Sequence, residues 1–257
     1  STNLKNWVLS TLVPTPDFIF RQLFDKDSST YTYLLGDRLT GEAILIDPVD
    51  THVARDLQIA KDLNLKVKYG VNTHAHADHV TGTSLLREAI VSKNTEKGVK
   101  NAPFQSVISR SSTAKADLLL DNYDKVYFGR RYIEARYTPG HTAGCTSFVL
   151  DDQSAVFTGD ALLIRGCGRT DFQGGSADTL YDSVHNEIFS LPDKCDVFPA
   201  HDYNGRIKSS VGEERILNPR LGGGNTKEQF IDIMANLKLA PPKLLDVAVP
   251  KNLNCGV

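Results

Sequence analysis

Thr73-His74-Ala75-His76-Ala77-Asp78-His79 places three imidazoles and one carboxylate within six residues. The cluster follows directly on an apolar, β-branched run, Lys66 to Asn72, which reads as a buried strand. Imidazole and carboxylate suit iron, zinc and manganese, whereas soft metals call for thiolate. The strand therefore carries the cluster to its end. Gly82 lets a helix, Thr83 to Ile90, start close behind it. A lone histidine is most simply a packed or solvated residue, but three at this spacing point to a metal site.

Upstream, Phe18 to Phe24, Tyr31 to Leu35 and Glu42 to Asp47 are short aromatic and β-branched runs separated by turn residues, as in a β-meander. Pro48 ends the third, and a helix is expected from about His52 to Leu63, with Val53, Leu57, Ala60 and Leu63 on one face. His52, at its start, reads as a surface residue. Downstream, the polar segment Ser92 to Pro103 reads as an exposed loop. Strands are expected at Phe104 to Ile108, Lys125 to Phe128, Tyr132 to Tyr137, Thr146 to Leu150, Ala155 to Phe157 and Asp196 to Pro199. Helices are expected from Ser176, as cap, to Phe189 and from Lys227 to Leu237. His74, His141, Asp160 and His201 each follow a β-run, so a layered α/β fold can bring them together at one edge of its sheets.

The 257 residues suit a single domain with a short C-terminal extension. A composition of 40% hydrophobic and 23% charged residues, with net charge −2, offers no electrostatic case for nucleic acid or an anionic membrane. No apolar run approaches the ~20 residues that span a bilayer. Cys145, Cys167, Cys195 and Cys255 are dispersed without a C-x-x-C pair, as in a reducing compartment. The first residue is Ser1, which fits removal of a targeting peptide whose nature these residues do not carry.

His-x-His-x-Asp-His, then Gly140-His141-Thr142, Thr158-Gly159-Asp160 and Ala200-His201-Asp202 resemble the metallo-β-lactamase superfamily over roughly residues 30 to 205. The resemblance implies a four-layer αβ/βα sandwich with a metal site between two sheets. In dinuclear members, positions matching His74, His76 and His141 bind one metal; those matching Asp78, His79 and His201 bind a second, with Asp160 bridging. Gly166-Cys167-Gly168-Arg169 resembles both glyoxalase II and the persulfide dioxygenases (the ethylmalonic-encephalopathy protein group). Leu162-Leu163-Ile164-Arg165, Thr170-Asp171-Phe172-Gln173, Ala200-His201-Asp202-Tyr203, Ala248-Val249-Pro250 and Cys255-Gly256-Val257 resemble the dioxygenases. Glyoxalase II has His-Glu-Tyr and a larger helical C-terminal domain, and only 56 residues follow His201 here.

The dioxygenase resemblance implies one Fe(II) held by His74, His141 and Asp160, with positions left open for substrate and O2. Glutathione persulfide would be oxidised to sulfite and glutathione, in mitochondria and in a homodimer. His76, Asp78, His79, His201 and Asp202 become hydrogen-bonded supports around the iron, although the spacing of His76 also permits ligation. Arg169, Tyr203 and Arg220 are candidates for binding glutathione, whose carboxylates match a guanidinium fork; Arg169 could instead stabilise a loop. Cys167 reads as a packing residue rather than a modifiable thiol, and His185 as structural. The alternatives are hydrolysis of S-acylglutathione thioesters by a dinuclear site and, more remotely, a metal-free binding module.

Overall fold

A computed structural model describes residues 17–96, 104–239 and 244–257. Turn-separated, β-rich segments at the start give an antiparallel meander, β1 (Phe18–Asp25), β2 (Thr30–Asp37) and β3 (Glu42–Ile46). Helix α1 (Val53–Asp62) then crosses over to β4 (Lys66–Val71), which runs parallel to β3. Helix α2 (Thr83–Glu96) precedes β5 (Gln105–Ser109) and β6 (Leu118–Leu120), both continuing the parallel half. The resulting sheet has the order β1-β2-β3-β4-β5-β6.

A second sheet is built from β7 (Lys125–Phe128), β8 (Arg131–Tyr137), β9 (Thr146–Leu150) and β10 (Ala155–Gly159), all antiparallel. After α3 (Ala177–Ser183) and a π-helical segment, Val184–Ile188, strand β11 (Asp196–Pro199) pairs parallel to β10, and β12 (Ser209–Ser210) closes the order β12-β11-β10-β9-β8-β7. Helices α4 (Val211–Leu217), α5 (Lys227–Ala235) and α6 (Leu245–Leu253) follow.

Strand alternation explains the layering. Along β2, Tyr31, Tyr33 and Leu35 enter the core between the sheets, beside Phe148, Phe157 and Phe198 from the other sheet. Leu34, pointing the other way, packs with Val53, Ala60 and Leu86 from α1 and α2. Outside the second sheet, Val149, Val156 and Val197 meet Leu180, Val184 and Phe230. Both faces of each sheet are covered, which gives a four-layer α/β sandwich of the metallo-β-lactamase type. The two sheets are also tied by a polar contact: the buried Tyr33 hydroxyl donates to the Pro199 carbonyl at 2.6 Å.

Several elements differ from the sequence expectation. Helix α2 runs to Glu96, so the first part of the expected loop 92–103 is helical; Ser92-Lys93-Asn94-Thr95-Glu96 holds no proline or glycine to stop it. Residues 97–103 lie outside the described residues. The expected helix 176–189 changes to π-type pitch after Ser183. Strands β6 and β12 are too short to show a period of two, and α6 contains Pro250, which reads as a helix breaker in isolation. Thr226 opens α5 with a capping box completed by Gln229, where the sequence leads one to expect a helix.

Candidate metal centre

Five strand ends and their turns converge at one edge of the sandwich. Strand β3 is followed by Asp47, whose backbone is left-handed (φ 49°) and whose carboxylate is buried. Asp47 accepts from the Thr73 amide at 2.7 Å and the Thr73 hydroxyl at 2.9 Å. Burial pushes this carboxyl up, opposed by His74 and by the two Thr73 donors. Because the Thr73 hydroxyl donates to Asp47, its oxygen is left to accept from His74 Nδ1 at 3.0 Å. The opposite nitrogen of His74, Nε2, is thereby unprotonated. Burial, then the neighbouring His76, hold His74 well below the ordinary imidazole range, the neutral form a metal requires.

His141 sits in the turn after β8 and donates through Nδ1 to the Arg169 carbonyl at 2.7 Å. Its Nε2 is 3.5 Å from Asp160 Oδ2. Asp160 directly follows β10, whose last residue, Gly159, is left-handed (φ 53°); a Cβ there would lie 2.7 Å from Thr73 Oγ1. Burial alone would raise the Asp160 carboxyl, but the facing His201, His141 and His74 outweigh it and pull it below the usual range. The ligand atoms of His74, His141 and Asp160 all lie within 4.8 Å of one another. Asp160 Oδ1 is buried with no hydrogen-bond partner, an acceptor in need of a cation or a donor. Two nitrogens and one carboxylate oxygen in this arrangement fit a first-row metal such as iron.

His76, Asp78 and His79 form a second group, also within 4.8 Å. The ring of His76 lies 4.0 Å from that of His74 and 4.3 Å from that of His79, and its Nε2 is 3.1 Å from Asp47 Oδ1. By ligand atoms His76 groups with Asp78 and His79, although its ring is as close to that of His74. His79 Nε2 and both ring nitrogens of His76 are buried without hydrogen bonds. His201, delivered by β11, lies between the groups, its Nε2 3.5 Å from Asp78 Oδ2 and 3.6 Å from Asp160 Oδ1. Burial would lower His201, but the Asp78 and Asp160 carboxylates prevail and raise it. Thr30 touches both Nδ1 atoms of His79 and His201 at 3.3 Å. Thr30 and Asp47 were not singled out from sequence; both are ordinary strand residues until the sheet places them under the histidines.

A cavity of about 490 Å³ opens over His74, His141, Asp160 and His201. Arg169, Tyr203 and Arg220 all line it. The Arg169 guanidinium forks onto Asp171 at 2.6 and 2.8 Å and stacks over the Phe172 ring at 4.3 Å. Tyr203 is 71% exposed, its ring parallel to His201 at 6.0 Å. Arg165, Arg206 and Arg169 are paired with Glu214, Asp202 and Asp171, whereas Arg220 donates to the Cys167 carbonyl at 3.0 Å and has no carboxylate partner among the described residues. Asp202 accepts from the amides of Asn204 and Arg206 at 2.8 Å, organising the loop after His201 without reaching the ligand group.

The remaining candidates behave as packing residues. Cys167 is buried against Met234, and burial pushes its thiol up to about 11. His185 stacks on Tyr181 and bonds the Leu221 carbonyl at 3.0 Å. His52 bonds Asp25 at 2.8 Å and belongs to neither ligand group.

Residues 25–201 match the model of the metallo-beta-lactamase superfamily, and with this fold and donor set the chain belongs to that superfamily. Over 239 residues it is 55% identical to the mitochondrial persulfide dioxygenase ETHE1 of Mus musculus, covering 93% of this chain and 89% of that one. It also superposes on the crystal structure of ETHE1 from Myxococcus xanthus with a TM-score of 0.85 and 46% identity, covering 93% of this chain and all of the other. Within the superfamily, the chain belongs to the persulfide dioxygenase family. The cytoplasmic hydroxyacylglutathione hydrolase of Arabidopsis thaliana is more distant, 31% identical over 67% of this chain and 64% of that protein.

Proposed function

We propose that this protein is an iron-dependent persulfide dioxygenase that oxidises glutathione persulfide with O2 to sulfite and glutathione. The observation that carries it is the cluster of His74, His141 and Asp160 on a cavity also lined by Arg220, which has no carboxylate partner among the described residues. Bound there, Fe(II) would supply open positions and one-electron chemistry that bring a sulfur anion and O2 together. With the persulfide as its anion, one GSS⁻, one O2 and one water give GSH, SO3²⁻ and a proton.

The chain's own part is placement. His74 and His141 present Nε2 because Thr73 and the Arg169 carbonyl occupy their Nδ1 positions. Arg220 binds a glutathione carboxylate at the cavity wall, with Arg169 shaping the loop beside it and Tyr203 flanking the entrance. The relatives' mitochondrial naming supports a mitochondrial location. Family resemblance supports a homodimer, which light scattering tests. Among the described residues no helix is long and apolar enough to cross a membrane.

A second reading, thioester hydrolysis at a dinuclear site, is favoured by the His76, Asp78 and His79 group, which offers donors for another metal. Elemental analysis joined to an oxygen-electrode trace separates the two. Oxygen uptake with glutathione persulfide by protein holding about one iron supports the dioxygenase. Rapid hydrolysis of S-lactoylglutathione without oxygen uptake by the iron-loaded protein would establish the hydrolase instead.

A further inference from the structure

The turn that carries His76, Asp78 and His79 has no regular secondary structure to satisfy its backbone. Besides Gln173 on the Ala75 carbonyl and Asp50 on the Val80 carbonyl, its partners come from the other end of the chain. Asn252, in the last turn of α6 and 4% exposed, accepts the Thr81 amide at 2.8 Å through Oδ1. Its two Nδ2 hydrogens go to the His76 and His79 carbonyls, each at 2.8 Å. One side-chain amide therefore spends both donors and an acceptor on the turn, in a site without water access to replace them.

The residues after Asn252 seat themselves against the same turn. Gly256, at φ 89°, lies so close to Thr81 that a Cβ would fall 2.4 Å from its carbonyl oxygen. The Leu253 carbonyl accepts the Lys115 amide at 2.8 Å, anchoring the helix end to the first sheet's loop. Since the His76 ring packs 4.0 Å from His74, a shift of the turn is felt at the ligand group.

We propose that Asn252 is a positioning residue for the metal centre, coupling the docking of α6 to occupancy of the site. Metal bound at His74, His141 and Asp160 holds the turn still, and a fixed turn holds α6. By reciprocity, a docked α6 raises metal affinity by the same factor. The inference rests on a metal being held there, whichever reaction it serves.

Hydrogen exchange of the full chain, with and without Fe(II), tests it, with iron measured on the same samples. Residues 245–257 should exchange at least ~10-fold more slowly when iron is bound. Asn252→Ala should lose that iron-dependent slowing and bind iron ~10–100-fold more weakly. Gly256→Ala, which leaves the Asn252 bonds in place but forces the chain end off the Thr81 carbonyl, should lose part of it. Asn254→Ala, at an exposed position beyond the clamp, should keep all of it. If α6 only supports the fold, Asn252→Ala will lower Tm yet retain the iron-dependent slowing, and the proposal fails. Iron bound to the wild type with unchanged exchange in 245–257 also overturns it. A wild type that takes up no iron overturns the site assignment underneath, which the iron measurement reveals separately.

Discussion

His141 Nδ1 lies 2.7 Å from the Arg169 carbonyl, and since a carbonyl only accepts, His141 carries its proton there and turns Nε2 toward Asp160. Arg169 thus reaches the metal centre through its backbone. Its guanidinium is forked onto Asp171 and stacked on Phe172, which fixes the loop that presents the carbonyl. Arg220, which lines the same cavity and has no carboxylate partner among the described residues, is the proposed partner of a substrate carboxylate.

Substitutions at these two arginines should both raise KM, by different routes. Arg220→Ala should raise KM for glutathione persulfide ~10–100-fold, the worth of a charge-assisted hydrogen bond, with iron content and kcat little changed. Arg169→Lys keeps the charge and loses the fork, so KM should rise with iron near the wild-type level. Asp171→Asn discriminates the cause. If it reproduces the Arg169→Lys kinetics, Arg169 works by holding its loop; if KM stays at the wild-type value, Arg169 contacts substrate itself. Iron-free Arg220→Ala protein would remove Arg220 from the substrate site.

Stability should depend on pH through Asp25, a residue outside the catalytic cluster. Burial would raise its carboxyl, but the Ser28 hydroxyl and amide, His52 and the Asp27 amide outweigh this and lower it to about 2. A folded value below the unfolded ~3.9 means stabilisation that is complete above the unfolded value and is lost as pH falls through the folded one. Asp25→Asn should cost about 2 kcal/mol at pH 7, or a Tm lower by ~4–8 °C, and the difference should shrink between about pH 4 and pH 2. A gap that stays constant down to pH 2 in parallel thermal melts would assign the cost to packing.

Sequence legibility followed the range of the interaction. His74, His141, Asp160 and His201 could be placed at strand ends because each follows an apolar run with its own turn residues. Their convergence needed only a layered fold. The clamp by Asn252 could not be read, since its partners lie more than 170 positions away and asparagine near a chain end is commonplace. Asp47 and Thr30 were hidden for the same reason: their contacts exist only once β2, β3 and β4 are side by side. The Asp171 partner of Arg169 is only two residues away, yet nothing in Arg-Thr-Asp marks it as a fork rather than a solvated pair.

One metal per chain is expected, on His74, His141 and Asp160. Alanine at any of these should remove iron and activity together, because each takes one donor from a set of three. His201→Ala should keep much of its iron and lose activity by ~10–100-fold, as for a residue that orients ligands. Metal analysis after expression with iron and zinc both present decides it. Two tightly held metals per chain, with His201→Ala losing one of them, would replace the mononuclear assignment by a dinuclear one.

The two glycines of Gly166-Cys167-Gly168 should behave oppositely although they flank one residue. A Cβ on Gly166 would meet nothing nearer than Leu163 Cβ at 3.9 Å, an ordinary contact. Gly166→Ala should be neutral or stabilising by up to about 1 kcal/mol, since alanine restricts the unfolded chain. At Gly168 the added carbon would lie 2.6 Å from the Asp160 carbonyl and 2.8 Å from His141 Nδ1. Neither can retreat freely, because the Gly168 amide donates to that same Asp160 carbonyl at 2.7 Å and His141 is held by Arg169. Gly168→Ala should cost about 1–3 kcal/mol in overpacking and displace two of the three ligands at once. Iron content should therefore fall in Gly168→Ala and stay at the wild-type level in Gly166→Ala, read by metal analysis on folded protein of each. Equal iron in both variants would show that the loop yields to the extra methyl group, and that the spacing between Gly168 and the ligands does not hold the centre in place.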